Sequence, residues 1–147
     1  MGAAEFQALF SQLTNFKPNR FHPLVWILGE PEIADDVSIG GFSEINAKNA
    51  IVKIGKGCDI ASFVAINCAD SHKRCIGLSS DIERRDITLE EQVFVGSHVV
   101  IKGGAHIGHH TVVAAGTVVD AGYVPPYSLV CGNPMIVKDG YYLKEKR

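Results

Sequence analysis

The chain has 147 residues, 46% of them hydrophobic and 20% charged, and its 14 basic side chains against 16 acidic give a formal net charge of −2. A chain of this size buries roughly two thirds of the surface it exposes when unfolded, so a single domain without a disulfide framework is expected. The charge balance excludes a disordered tail protein and argues against a non-specific nucleic-acid binder, which needs a basic stripe.

No apolar run reaches the roughly eighteen residues of a membrane span, and the start MGAAEFQALF has no basic segment before an apolar one. Phe6 stands where a myristoylation motif wants Ser or Thr. A cytoplasmic protein is the expectation. Cys58, Cys68, Cys75 and Cys131 show neither CxxC pairing nor a zinc-ribbon rhythm and are read as thiols in a reducing compartment.

Residues 3–16 place Phe6, Leu9, Phe10, Leu13 and Phe16 at three- and four-residue spacings, which predicts a short helix docking one apolar face on the rest of the domain. The prolines and Asn of KPNRFHP break it before the apolar run Leu24–Leu28.

A repeat then begins. Ile27, Ile33, Ile39, Ile45 and Ile51 stand six apart, and after a three-residue slip Ile54, Ile60 and Ile66 resume the step. Leu89, Val95, Ile101, Ile107, Val113 and Val119 repeat it in a second block. Four residues after many of these aliphatics come small or β-branched side chains: Val37, Ser43, Cys58, Val64, Val93, Val99, Ala105, Thr111 and Thr117. Gly40, Gly55, Gly96 and Gly108 follow the aliphatic directly. A helix would smear a six-residue period around its circumference, whereas a short strand and a tight turn return to the same phase. The pattern predicts a β-solenoid with first coils over 27–71 and second coils over 87–124, a C-terminal closing segment over 125–147, and a continuous aliphatic ladder inside. Residues 73–86 carry no ladder and seven charges, which predicts an excursion loop of the kind that is more often functional than decorative.

The second block, ITLEEQVFVGSHVVIKGGAHIGHHTVVAAGTVVDAGYVPPYSLVCGNPMIVK, resembles the C-terminal half of the hexapeptide-repeat acyltransferases, and most of all the galactoside, maltose and xenobiotic acetyltransferase group. The likeness runs over residues 27–138 and is strongest over 87–138. It implies an all-β fold, a left-handed parallel β-helix of three short strands per coil, assembled as a homotrimer. It also implies acetyl-CoA as cosubstrate, and an acceptor hydroxyl or amine on a sugar or nucleotide-sugar.

In that family a histidine at a coil's end, just before the excursion loop, is the general base, and INCADSHKR puts His72 there. The chemistry agrees, since a sugar hydroxyl is a weak nucleophile until an imidazole takes its proton. Asp70, two residues earlier, is placed to orient the ring. GFSEIN, residues 41–46, is similar to the family's acceptor-lining Asn-Phe-Asn stretch, with Gly41 and Ser43 in place of the asparagines. The likeness implies that Phe42 stacks on a sugar face and that Ser43 or Asn46 bonds its hydroxyls. For coenzyme A, Gly96–Ser97 and Ala114–Ala115–Gly116 match the family's contact turns, where small residues admit the pantetheine arm, although turn sterics alone ask for the same residues. PPYSLVCGNPMIVK reproduces the proline pair and GxP element of the coenzyme site. Ala121 and Gly122 replace the family's Lys-Asp, and Ile136 replaces a common basic residue, which leaves Lys138 as the candidate phosphate contact.

A rival reading on the same fold is a zinc enzyme of the γ-carbonic-anhydrase kind, prompted by HIGHH at 106–110 and by His98 one coil earlier. That class uses a histidine pair five apart on the coil flank, whereas His106, His109 and His110 fall in one turn, so solvated turn histidines and no metal are expected. An inert scaffold or ice-binding solenoid would need a flat Thr-x-Thr array, which the sequence lacks.

Overall fold

The structure is a computed structural model that describes residues 1–14, 17–21 and 24–143. Very short strands alternate with tight corners, and each strand pairs in parallel with its counterpart one coil later. The first sheet holds Trp26–Gly29, Glu44–Ala47, Ala65–Asn67, Val100–Lys102 and Val118–Val119. The second holds Glu32–Ile33, Val52–Ile54, Ile87–Leu89, Ala105–Ile107 and Gly122–Val124. The third holds Ser38–Ile39, Asp59–Ile60, Phe94–Val95, Val112–Val113 and Leu129–Cys131. The chain is thus a left-handed parallel β-helix of about five coils.

Register follows the aliphatic period. Ile27 pairs with Ile45, Ile45 with Ile66, Ile66 with Ile101, and Ile101 with Val119. Equivalent ladders run through Ile33, Ile54, Leu89, Ile107 and Val124, and through Ile39, Ile60, Val95, Val113 and Val130. Most of these side chains are fully buried, and the small residues at the fourth position after them, from Val37 to Thr117, fill the corners of the same core. Where a corner residue is polar, its hydroxyl bonds backbone that the turn would leave unpaired: Ser43 Oγ donates to the Ala61 carbonyl at 2.9 Å and Thr111 Oγ1 to that of Pro125 at 3.2 Å. Coils approach so closely at some corners that no side chain fits. A Cβ on Gly55 would stand 2.8 Å from the Glu90 carbonyl carbon.

From the second sheet to the third, and from the third to the first, the ladder step is always six residues. Every irregularity falls at the remaining corner, between the first sheet and the second. Three extra residues enter between Ile45 and Ile54, the whole excursion enters between Ile66 and Leu89, and one residue is missing between Val119 and Val124. The insertion corrects one sequence expectation: Ile51, read as a ladder residue, is 54% exposed, and Ile54 takes the rung between Ile33 and Leu89.

The helix spans Ala3–Leu13, and Phe16 lies outside the described residues. It packs through Phe10, whose ring meets Trp26 edge-on at 4.8 Å, with Phe6 stacked on Phe10. Leu9 and Leu13 face away from the coil, a correction to the predicted five-residue face. Arg20 bonds the carbonyls of Ala34 and Asp35, fixing the segment that follows the helix over the first coil. The excursion leaves the coil at Ala69, earlier than the residue 73 expected, because Ala69–Asp70 pairs antiparallel with Glu83–Arg84. At the C-terminus, Leu129–Cys131 is still a parallel rung inside the expected closing segment, and only Ile136–Lys138 turns back antiparallel to cover it. Among the described residues no helix is long and apolar enough to cross a membrane.

This register predicts unequal costs for two neighbouring isoleucines. Ile54→Ala should lose about 2–5 kcal/mol in urea unfolding, and Ile51→Ala less than about 1; equal losses would contradict the register.

Candidate functional site

The irregular corner opens a groove of about 700 Å³ between the excursion hairpin and the ends of the first-sheet strands, within the size range of small-molecule sites. His72 lines it from the start of the helical turn His72–Cys75. Its Nδ1 lies 2.6 Å from Asp70 Oδ1, which also accepts the His72 backbone N–H at 3.0 Å. These two bonds, the backbone one first, hold the Asp70 carboxyl below its ordinary range. An ionised carboxylate only accepts, so Nδ1 must carry the proton, and Nε2 keeps its lone pair available to the groove. The hairpin is fixed by an ion pair between Lys73 and Glu83 and by Arg84 Nη1 donating to the Lys48 carbonyl at 2.7 Å. Hydrogen bonding from Lys73 lowers the Glu83 carboxyl in turn.

The three acceptor candidates part company. Ser43 is buried, and its hydroxyl both donates to the Ala61 carbonyl and accepts the Val64 N–H. Buried, and with its one donor spent on the Ala61 carbonyl, it serves the corner rather than facing the groove. Asn46 reaches the groove's edge, its Nδ2 donating to Oδ1 of Asn67 at 3.2 Å. Phe42 stands at the opposite end of the same sheet. With φ of +64° it projects from its corner and stacks on Phe63 at 5.1 Å, which stacks on His98 at 4.9 Å.

The small-residue turns fall on consecutive coils at that same far corner. Gly116 N–H donates to the Ser97 carbonyl at 2.9 Å, and a Cβ on Gly96 would stand 2.6 Å from the Ala115 nitrogen. Coil stacking therefore accounts for Gly96 whatever else it does, while Ala114, Ala115 and Gly116 form the matching turn one coil on. Ser97 precedes the strand Val100–Lys102, whose three residues all line the groove, and His72 with the excursion hairpin lies past the strand's other end. Lys138 is exposed on the final strand, its Nζ 5.7 Å from the centre of the Tyr141 ring.

The turn histidines His106, His109 and His110 are engaged elsewhere. Glu90 pairs with His106 Nε2 at 2.8 Å and accepts the His109 N–H, and the His106 bond is the main cause of its lowered carboxyl pKa. His109 and His110 face each other through Nδ1 at 2.9 Å. Among the described residues no three metal-ligating side chains converge. Sequence reasoning missed Asn67, Arg85, Lys102 and Asp120, which line the groove. For Arg85 the only signal was the charge of the excursion's return; Asn67, Lys102 and Asp120 are outward residues of the coils, which carry no period.

The bacterial transferase hexapeptide (six repeats) family matches residues 86–121. The chain is 30% identical over 131 residues to the bifunctional protein GlmU of Geotalea daltonii, an alignment that takes in 84% of this chain but only 28% of that protein. It is similar to the solved structure of the polySia specific acetyltransferase NeuO, with a TM-score of 0.64 and 25% identity over 78% of this chain and 60% of that one. It is likewise similar to galactoside acetyltransferase in complex with coenzyme A, with a TM-score of 0.62 and 25% identity over 84% of this chain and 66% of that one. Repeat and coil together identify the chain as a hexapeptide-repeat protein, one whose solved neighbours include acetyltransferases.

The Asp70 contact predicts an unusual tautomer. At mildly alkaline pH, ring ¹⁵N shifts of His72 should place the proton on Nδ1, and Asp70→Asn should weaken that preference; an Nε2-protonated ring in the unaltered protein would contradict the geometry.

Proposed function

We propose that the protein transfers an acetyl or similar acyl group from coenzyme A to a hydroxyl or amine of a sugar or nucleotide-sugar, with His72 as general base. The observation that carries this reading is the Asp70–His72 pair at the mouth of a groove large enough for a sugar, with Nε2 bonded to none of the described residues. Likeness to galactoside acetyltransferase in complex with coenzyme A, and to an acetyltransferase specific for polySia, supports the donor and the acceptor class.

In the reaction, Nε2 takes the acceptor proton as its oxygen or nitrogen attacks the thioester carbonyl. Asp70 holds the ring in place and stabilises the imidazolium that results. The tetrahedral intermediate collapses with cleavage of the carbon–sulfur bond, and the departing thiolate recovers the proton from His72. Among the described residues no cysteine or serine bonds the His72 ring, and Cys68, which lines the groove, is buried with its Sγ donating to the Lys48 carbonyl at 3.6 Å, so in this reading the acyl group passes directly. Asn46, through Asn67, and Phe42 are the acceptor contacts of this reading; Gly96, Ser97, Ala114, Ala115 and Gly116 carry the pantetheine arm, and Lys138 a phosphate. Because the donor turns and the base flank opposite ends of one strand, the reading places the reaction between neighbouring copies of a homotrimer, in the cytoplasm.

His72→Ala should cut kcat roughly 100-fold or more in a free-thiol assay with acetyl-CoA, while leaving coenzyme affinity and Tm nearly unchanged. Near-normal turnover would remove His72 from the role. About one zinc per subunit, with activity lost to chelation, would favour the zinc-enzyme reading instead.

A further inference from the structure

We infer that Asn67 and Lys102 form a donor pair that takes the thioester carbonyl oxygen in the groove and holds the negative charge this oxygen develops as the acceptor attacks. The inference rests on the proposed acyl transfer for the identity of the ligand; the donor pair itself stands on the hydrogen bonding of the coil.

Four outward residues stand one above another where the first-sheet strands end at the irregular corner. Asn46 pairs in register with Asn67, Asn67 with Lys102, and Asp120 follows one coil on. Backbone donors fix how the two amides point, because an N–H bonds only the amide oxygen. The Lys48 N–H donates to Asn46 Oδ1 at 3.1 Å, and the Ala69 N–H to Asn67 Oδ1 at 3.0 Å. Asn46 Nδ2 then donates to the same Asn67 oxygen at 3.2 Å. With Oδ1 turned to the preceding coil, the planar Asn67 amide turns Nδ2 the other way, toward Lys102 and the groove, and that nitrogen bonds none of the described residues. Lys102 Nζ donates to Asp120 Oδ1 at 3.1 Å, which uses one of its three N–H groups. Donation thus passes from Asn46 to Asn67 and from Lys102 to Asp120. The rungs of Asn67 and Lys102 meet donor to donor, their strands about 4.8 Å apart. Asp120 neutralises Lys102, so the direction of the N–H groups, and not a surplus of charge, distinguishes the pair.

Two facing donors suit an oxygen that only accepts. A sugar hydroxyl both donates and accepts, whereas a thioester carbonyl oxygen, and the oxyanion formed from it, only accept. Both donors line the groove with His72. After the contributions of His72, the Lys102 ammonium also helps to lower the Asp70 carboxyl, which places it near the base. As the acceptor oxygen or nitrogen bonds to the thioester carbon, the carbonyl π pair moves onto oxygen and the acceptor proton passes to His72 Nε2. Nδ2 and Nζ then hold the new charge, and donors fixed before the reaction do so without reorganising. Collapse restores the carbonyl, and the carbon–sulfur pair leaves on sulfur, which takes the proton back from His72. Asn46 is a positioning residue in this arrangement, acting through Asn67.

The test is difference infrared spectroscopy of acetyl-CoA, labelled with ¹³C at the carbonyl, bound to the full chain, with affinity measured by calorimetry. The labelled carbonyl band should fall to lower frequency on binding, since two donors weaken the carbon–oxygen bond. At saturating acetyl-CoA, Asn67→Ala and Lys102→Met should each reverse part of that fall and the double variant all of it, with unchanged melting curves. Asn46→Ala should reverse less than Asn67→Ala. The two donors are tested separately, so a folding defect in one variant leaves the other decisive. Acetyl-CoA that binds with its band unmoved, or a fall that survives the double variant, overturns the inference and leaves the acyl-transfer reading standing. So does a band unchanged in the variants while their affinity for galactose drops, which would assign the donors to the acceptor. Failure of acetyl-CoA to bind the unaltered protein would contradict the acyl-transfer reading and the inference with it.

Discussion

The rest of the structure depends on the parallel hydrogen bonding of each short strand to its counterpart one coil away. Strands of two to four residues have no stability of their own. They persist because the ladders of isoleucine, valine and leucine lock register, and because a slip by one residue would turn every ladder side chain outward. That constraint acts on strands and leaves corners free to vary in length. The chain uses the freedom at a single corner, where an insertion, an eighteen-residue excursion over 69–86 and a one-residue deletion lie one above another. The groove with His72 is the space these departures open, so the site is a consequence of where the repeat is allowed to fail.

Stability and the proposed chemistry are consequently assigned to different atoms. The ladder residues are almost wholly buried, and burial of large aliphatic side chains is worth about 1.5–3 kcal/mol each. Groove residues are exposed, and ion pairs such as Lys102 with Asp120 contribute little at that exposure. Substitution in the groove should thus report on binding and turnover with small effect on folding. Corner residues such as Ser43 and Gly96 do not separate so cleanly, because stacking already claims them.

The ladder was legible in the sequence because a six-residue period fits a strand and a turn and nothing helical. The same regularity misled at Ile51, where the spacing of six continues into an inserted corner and only tertiary pairing decides that Ile54 is the rung. Helical spacing likewise could not rank the five apolar residues of the N-terminal segment, since contact with Trp26 selects Phe10 over Leu9 and Leu13. The hand of the coil came from resemblance, as the usual crossover preference points the other way. His72 and Asp70 were candidates by resemblance and by their place before the loop, and the structure brings them together beside the groove. Arg85, Lys102 and Asp120 were not, because charge on an outward face carries no phase, and only the fold reveals which charges meet.

The central proposal is that His72, past one end of the strand Val100–Lys102, acts as base and that the turns at Ser97 and Ala115, before its other end, bind the donor, so that a complete site is shared between two copies of the chain. Mixing His72→Ala subunits with Ala115→Trp subunits, after exchange verified by native mass spectrometry, tests it most directly. Activity above that of either parent is the result the account predicts, since some interfaces then join an intact base to an intact donor turn. Exchanged oligomers no more active than their parents, or a monomer with full activity, would contradict it.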